Sequence, residues 1–286
     1  MNTQLILSLA AISIYSVFCL YIGIGKAYDK KTVSTARGYF LGDGTGYFVL
    51  YFTTMATWFS TWIFMGAPGA FFSNGIGYIA AMTWQIIILM LMGTYAPRMW
   101  RIAKENNYTT PADMLEDYYD SKALRQSVGL TQLIFILPNL LAQVSGVGLA
   151  ITALTNGFIP FWLSCVYAAG LVGIYVYYGG FKSQAYVDSA QGFMFFTILW
   201  GSVVILLTRP QIGGIGSLYQ LMKQANENLL YYFTDQSLFW NWKNYAGFFL
   251  AQAFGGFCAP HVWQRMYAAK DGKTVVKLAG TLAPFY

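Results

Sequence analysis

Apolar residues in this chain fall in long uninterrupted blocks, without the short alternation of a soluble strand or the one-sided stripe of a soluble helix. Between Asp43 and Arg98 there is no Asp, Glu, Lys or Arg, and the same holds between Arg125 and Lys182. Each gap is long enough for two crossings of about 20 residues. Further charge-free apolar runs cover 1–25, 189–208 and 244–264. The pattern predicts membrane helices over 4–25, 46–72, 76–96, 129–154, 161–178, 185–207 and 245–263, with a stub over 275–286. Hydrocarbon offers the backbone no hydrogen-bond partners, so blocks of this length specify an all-α polytopic membrane protein.

Two predicted spans are interrupted alike. The second carries Gly66-Ala67-Pro68-Gly69, and the seventh carries Gly255-Gly256 followed by Pro260. They lie an odd number of spans apart and therefore cross in opposite senses. Broken helices at corresponding places in two oppositely oriented units point to an inverted-repeat transporter, with substrate and ion held near the midplane. The plainer reading is that Gly and Pro are common in transmembrane helices, where they let neighbours pack closely.

Composition agrees with this class and charge orients it. The chain is 57% hydrophobic and 10% charged, against about a quarter charged in soluble domains. A net charge of +6 would suit an anionic partner such as nucleic acid. However, of the 17 Lys and Arg residues, only Arg209, Lys223 and Lys243 fall outside if the N-terminus is outside, and the other fourteen fall in inner loops. That asymmetry is the positive-inside pattern of a cytoplasmic membrane protein, so the basic excess marks topology and no nucleic-acid partner is expected. Cys19, Cys165 and Cys258 lie inside spans, as packing residues and not as a disulfide framework. The first span has its positive charges after the apolar run, so it is expected to stay as a helix and not be cleaved as a signal. Many of the aromatic residues gather at span ends, as in Tyr175, Tyr177 and Tyr178, where interfacial belts explain them. Two loops are substantial. The inner one, 97–127, holds Thr109-Thr110-Pro111-Ala112-Asp113, a cap and Pro start for a short surface helix. The outer one, 209–243, is Gly-rich and then helical in pattern, in the manner of a partial lid.

The candidate chemistry sits around the interruptions. Span two reads Thr53-Thr54-Met55-Ala56-Thr57-Trp58-Phe59-Ser60-Thr61-Trp62. A hard cation such as sodium finds ligands in a membrane only in carbonyls freed by unwinding, in hydroxyls or in rare carboxylates. The ordinary alternative is that each hydroxyl bonds back to its own helix or across to a neighbour. Gln132, Asn139 and Gln143 share one face of span four, beside Pro138, and read as helix glue facing the bundle interior. Asp188 is the acid nearest the otherwise uncharged span six. It is either a functional membrane carboxylate or an acid of the first helical turn favoured by the helix dipole. His261, the single histidine, provides neither a zinc ligand set nor a hydrolase triad. It reads as a structural hydrogen bonder near the break, or as a cytoplasmic gate with Arg265. Gly272-Lys273-Thr274 lacks the leading Gly of a phosphate-binding loop, since Tyr267 stands there. No nucleophile and base pair appears, so no enzyme and no organic cofactor is expected.

Taken together these residues resemble the sodium:solute symporter family. The matching stretches are Met65-Gly66-Ala67-Pro68-Gly69-Ala70, Tyr178-Gly179-Gly180-Phe181 through Asp188 and Gln191, and Pro260-His261 with Arg265. The resemblance covers essentially the whole chain and leans to the proline and pantothenate branch, away from the sugar branch. It implies one leading helix, 4–25, followed by two inverted repeats of five helices, the first over about 46–207 and the second opening at about 245–286 and continuing beyond Tyr286. By position it implies that Ala56 and Phe59 offer backbone carbonyls to sodium and that Asp188 lines the inward route of the ion. Thr57, Ser60, Thr61, Ile63 and Gln252 would lie by the solute. Gly66, Pro68, Gly69, Pro260, His261 and Arg265 serve gating or structure. Proline carriers place an acid where Trp58 stands here, which argues against a close proline carrier. The implied function is sodium-coupled uptake of a vitamin, amino acid or carboxylate across the cell membrane. The rivals are a transporter-like sensor whose output domain follows this chain, and a passive channel.

Overall fold

The computed structural model describes residues 3–42, 44–231 and 242–283. Among these residues the chain is helical with no strand, and one isolated bridge joins Thr45 to Ala269. Helix α1 (Thr3–Leu20) runs on through a π-helical stretch to Lys26, and two short helices, α2 (Lys30–Val33) and α3 (Ala36–Leu41), follow. Helix α4 (Tyr47–Trp58) is interrupted and resumes as a π-turn over Trp62–Gly66, then α5 (Ala67–Asn74). A 3₁₀ stretch (Gly75–Met82) leads into α6 (Trp84–Thr94), α7 (Ala96–Glu105) and α8 (Pro111–Tyr119). The two longest helices are α9 (Lys122–Leu154) and α10 (Phe161–Leu207), followed by α11 (Ile215–Ala225), α12 (Trp242–Phe257), α13 (Pro260–Ala268) and α14 (Gly272–Leu282).

Three helices, Thr3–Lys26, Lys122–Leu154 and Phe161–Leu207, are long and apolar enough to cross a bilayer. The pair Tyr47–Trp58 and Ile63–Ile79, bent by 49°, makes a fourth candidate. At about 1.5 Å per residue, the 47 residues of α10 extend to roughly twice the thickness of a hydrocarbon core. Gly180 resolves the excess. Its φ of 59° and ψ of −152° are non-helical and break α10 into 161–179 and 181–207, so the two expected spans are present and the second begins at Phe181, ahead of the predicted 185. A side chain at Gly180 would also place its Cβ 2.4 Å from the Tyr39 carbonyl, so close backbone approach requires glycine there twice over. Just after the kink, Lys182 bonds Asp29 at 3.1 Å. The Thr32 hydroxyl, Lys182 and the Lys31 amide hold the Asp29 carboxyl down at about 2.

The buried core lies where α4, α6, α7, the second half of α10, α13 and α14 meet. Leu50, Met55, Ile88, Met92, Phe181, Met266, Tyr267 and Leu278 are all inside it. By contrast α1, α9 and the first half of α10 expose large apolar side chains along their length, among them Leu7, Ile14, Phe135, Leu141 and Val166. Continuous apolar exposure on helices of membrane-crossing length is a lipid-facing surface, and the chain is a multi-pass membrane protein. The surface helix of the inner loop is also present. The Thr110 hydroxyl accepts from the Asp113 amide while the Asp113 carboxylate accepts from the Thr110 amide, a reciprocal cap ahead of Pro111. Of the predicted outer loop, α11 is present and 232–241 lie outside the described residues, as do 284–286 of the predicted stub.

The interruptions sit later or earlier than the Gly and Pro residues suggested. In the second span the ladder is lost at 59–61, within the hydroxyl run and ahead of Gly66-Ala67-Pro68-Gly69. Pro68 falls in the first turn of α5, where a missing N–H leaves no helical bond unmade, so it starts a helix and does not break one. In the seventh span the break is at Cys258 and Ala259, directly before Pro260 and after Gly255-Gly256. Gly256 has a packing role, since a Cβ there would lie 2.5 Å from Ile88 of α6. Gly69 has open space around it and is exposed.

Candidate functional site

Two sets of contacts fix how the broken helices are related. Thr45, just before α4, donates its amide to the Ala268 carbonyl at 2.8 Å, and its own carbonyl accepts from the Lys270 amide at 3.0 Å. Farther in, the Arg265 side chain of α13 reaches Thr53 of α4. The first helix starts where the second ends, so α4 and α13 are antiparallel. Counting from the Thr53–Arg265 contact, the interruption at Phe59 lies six residues along α4 and that at Ala259 six residues back along α13. The two breaks therefore lie on the same side of this contact, in helices of opposite direction.

Between them opens a cavity of about 1340 Å³. Its wall includes Ala56, Thr57, Ser60 and Ile63 from the first broken helix and Gln252, Pro260, His261 and Arg265 from the second, with Asp188 from α10. The polar stripe of α9 faces the same space through Gln132, Asn139 and Gln143. Phe59, Thr61, Gly66, Pro68 and Gly69 are not part of this wall. The Phe59 ring packs on Phe195 at 4.8 Å. Among the described residues no three His, Cys, Asp or Glu side chains come together. The oxygens available around the cavity belong to the backbone, hydroxyls, carboxamides and Asp188.

Most charge at the site is concentrated in one buried pair. Arg265 Nη2 lies 3.3 Å from Asp188 Oδ2, with side-chain exposures of 3% and 14%. Thr53 joins them: its hydroxyl donates to Asp188 Oδ2 at 2.9 Å, and Arg265 Nη2 donates to the same hydroxyl at 3.3 Å. Arg265 further donates from Nε to the Thr53 carbonyl at 3.3 Å and from Nη1 to the His261 carbonyl at 2.9 Å, and it lies over the Phe181 ring at 5.9 Å. Three helices, α4, α10 and α13, thus converge on one guanidinium. Asp188 lies two turns past Gly180, beyond the reach of the dipole at that helix start, and its partners are Arg265 and Thr53. His261 contributes its carbonyl to this network and lines the cavity.

The hydroxyls divide between the two uses weighed for them. Thr54 and Thr57 donate to Leu50 and Thr53 carbonyls one turn back, at 2.7 and 2.8 Å. Thr61 instead reaches α9, where Gln143 Oε1 accepts from its amide at 3.0 Å and from its hydroxyl at 2.5 Å. Thr53 and Gln143 were visible in the sequence only as members of a hydroxyl run and of a polar stripe, because their partners are 135 and 82 residues away. Gln85 of α6, buried in the cavity wall, had no such signal.

Comparison with known proteins follows the same line. The pattern of the sodium:solute symporter family matches residues 39–285. A sodium/pantothenate symporter of Haemophilus influenzae is 28% identical over 289 residues, covering 99% of this chain and 57% of that protein. The sodium/pantothenate symporter of Escherichia coli is 27% identical, covering 96% of this chain and 56% of that protein. The osmoregulated proline transporter OpuE of Bacillus subtilis is also 27% identical, covering 96% and 54%. The chain spans little more than half the length of these relatives. With 247 residues, from 39 to 285, following the family pattern, the chain belongs to the sodium:solute symporter family.

Proposed function

We propose that the protein is a sodium-coupled symporter that carries a small polar organic solute, a vitamin, amino acid or carboxylate, into the cell by alternating access. What supports this most is the pair of interruptions, opposed in direction and opening on one cavity. An unwound stretch frees carbonyls that replace water around a cation, and it does so where a bilayer otherwise offers none. In this reading the carbonyls of Ala56 and Phe59 hold sodium. Thr57, Ser60, Ile63 and Gln252 meet the solute, and Thr61 acts beside them from its seat on Gln143. Asp188 lines the inward route of the ion, with Arg265 as counter-charge, while Pro260, His261 and the Gly66–Gly69 segment allow the helix halves to tilt. The leading helix precedes a five-helix repeat over about 46–207, and a second, inverted repeat opens at about 245. The N-terminus faces outside, which keeps fourteen of the 17 basic residues inside.

One charge moving through 100 mV is worth about 2.3 kcal/mol, about a fiftyfold accumulation of solute. The test is uptake into proteoliposomes bearing the full-length protein, with labelled pantothenate and proline as probes because similar proteins are named for them. An inward sodium gradient is expected to concentrate one of them and an equal potassium gradient is not. Equal uptake in both salts would remove the coupling.

A further inference from the structure

We propose that Gln143 is a positioning residue for the cation site: from α9 it supplies the hydrogen-bond partner that the second span loses at its interruption, and so narrows the range of the adjoining Phe59 carbonyl. This rests on the sodium reading above. Helix α4 ends with Phe59 at φ −81° and ψ 67°, outside the helical region, while the Phe59 amide still bonds the Met55 carbonyl at 2.9 Å. Two residues on, Thr61 has left the ladder. Its amide and its hydroxyl both donate to Gln143 Oε1, at 3.0 and 2.5 Å. Gln143 is itself held, since its Nε2 donates to Asn139 Oδ1 at 3.1 Å, one turn back on the same helix.

Peptide groups are planar, so an anchored N–H fixes its whole plane, including the carbonyl across the bond. The plane ending at Phe59 N is anchored to Met55, and the plane ending at Thr61 N is anchored to Gln143. The plane between them, which carries the Phe59 carbonyl, is hinged to an anchored plane on either side, which narrows the range over which that carbonyl can swing. Gly146 brings α9 close enough for this. It lies three residues from Gln143 on the same face, and a Cβ there would sit 2.9 Å from Thr61 Cβ. Ordinary helix glue needs only one polar contact between side chains, whereas here a carboxamide takes a backbone amide at the point where the helix is broken. A carbonyl of narrowed range loses less conformational freedom when it binds a cation, so part of the sodium affinity falls to a residue that does not touch sodium.

The experiment uses purified full-length protein and sodium alone, titrated by tryptophan fluorescence, with hydrogen exchange read for peptides covering 59–63. Gln143→Leu is expected to raise half-saturating sodium at least tenfold and to speed exchange at 59–63, leaving 84–94 unchanged. Gly146→Ala, which pushes on Thr61 while leaving Gln143 in place, guards against a misfolded first variant and is expected to weaken sodium severalfold. Leu141→Ala, on the exposed side of α9, is expected to bind as the parent does. A parent that responds to sodium while Gln143→Leu and Gly146→Ala titrate identically to it would overturn the role of Gln143. A parent blind to sodium would overturn the cation reading and this inference together.

Discussion

At the scale of single residues, Arg265 is the most connected group of the site, with Asp188, Thr53, the His261 carbonyl and the Phe181 ring around one guanidinium. Two charges taken out of water stabilise a fold little compared with an apolar pair, but removing one partner strands the other. Asp188→Asn is therefore expected to cost about 3–5 kcal/mol and to lower the melting temperature in detergent clearly. The double variant Asp188→Asn with Arg265→Gln should recover much of that loss, and a single variant that melts with the parent would show that the pair is not a structural tie. Asp188 stood out in the sequence as a lone acid beside an uncharged span. Arg265 stood out as well, as a gate beside His261, but not as the partner of Asp188, because only the antiparallel packing of α4 against α13 brings it to position 53. The roles of Thr57 and Thr61 were undecidable from the sequence for the same reason. Both are hydroxyls of one run, yet one bonds its own helix and the other bonds α9.

Among the elements, helix starts and kinks were the best marked features. Thr110 and Pro111 announce α8, and the division of α10, expected between 178 and 185, falls at Gly180, where a positive φ and the neighbouring Tyr39 carbonyl both demand glycine. The helix interruptions were marked only approximately. Pro68 proved to be the start of a helix half and not the break itself, since proline is accommodated in a first turn. No residue type announces the true interruption at 59–61. The Gln143 contact and the packing of Gly146 support it from another helix, and such support cannot be read from local pattern. Element direction gives a further test. If α1 enters from outside, an epitope placed before Thr3 should be reached by antibody on intact cells, with the loop holding Lys26, Lys30 and Lys31 reached only after permeabilisation. The reverse pattern of access would invert every span.

For the whole molecule, the distribution of charge and apolar blocks was sufficient to show a helical membrane protein, and the family match over 39–285 agrees. The cavity was not foreseeable, because its wall is drawn from α4, α5, α6, α9, α10, α12 and α13 and exists only once these are packed. Its placement between two opposed interruptions is what ties fold to function. In the proposed alternating access, rocking of one helix set against another would change which side the cavity opens to, while the unwound carbonyls stay at the centre. The account therefore requires that ion and solute move together. Flux of radiolabelled sodium into proteoliposomes, measured with and without the transported solute outside, tests this most directly. The account predicts that solute stimulates sodium entry and that the two fluxes keep a fixed ratio as either concentration is varied; sodium entry that ignores the solute would contradict it.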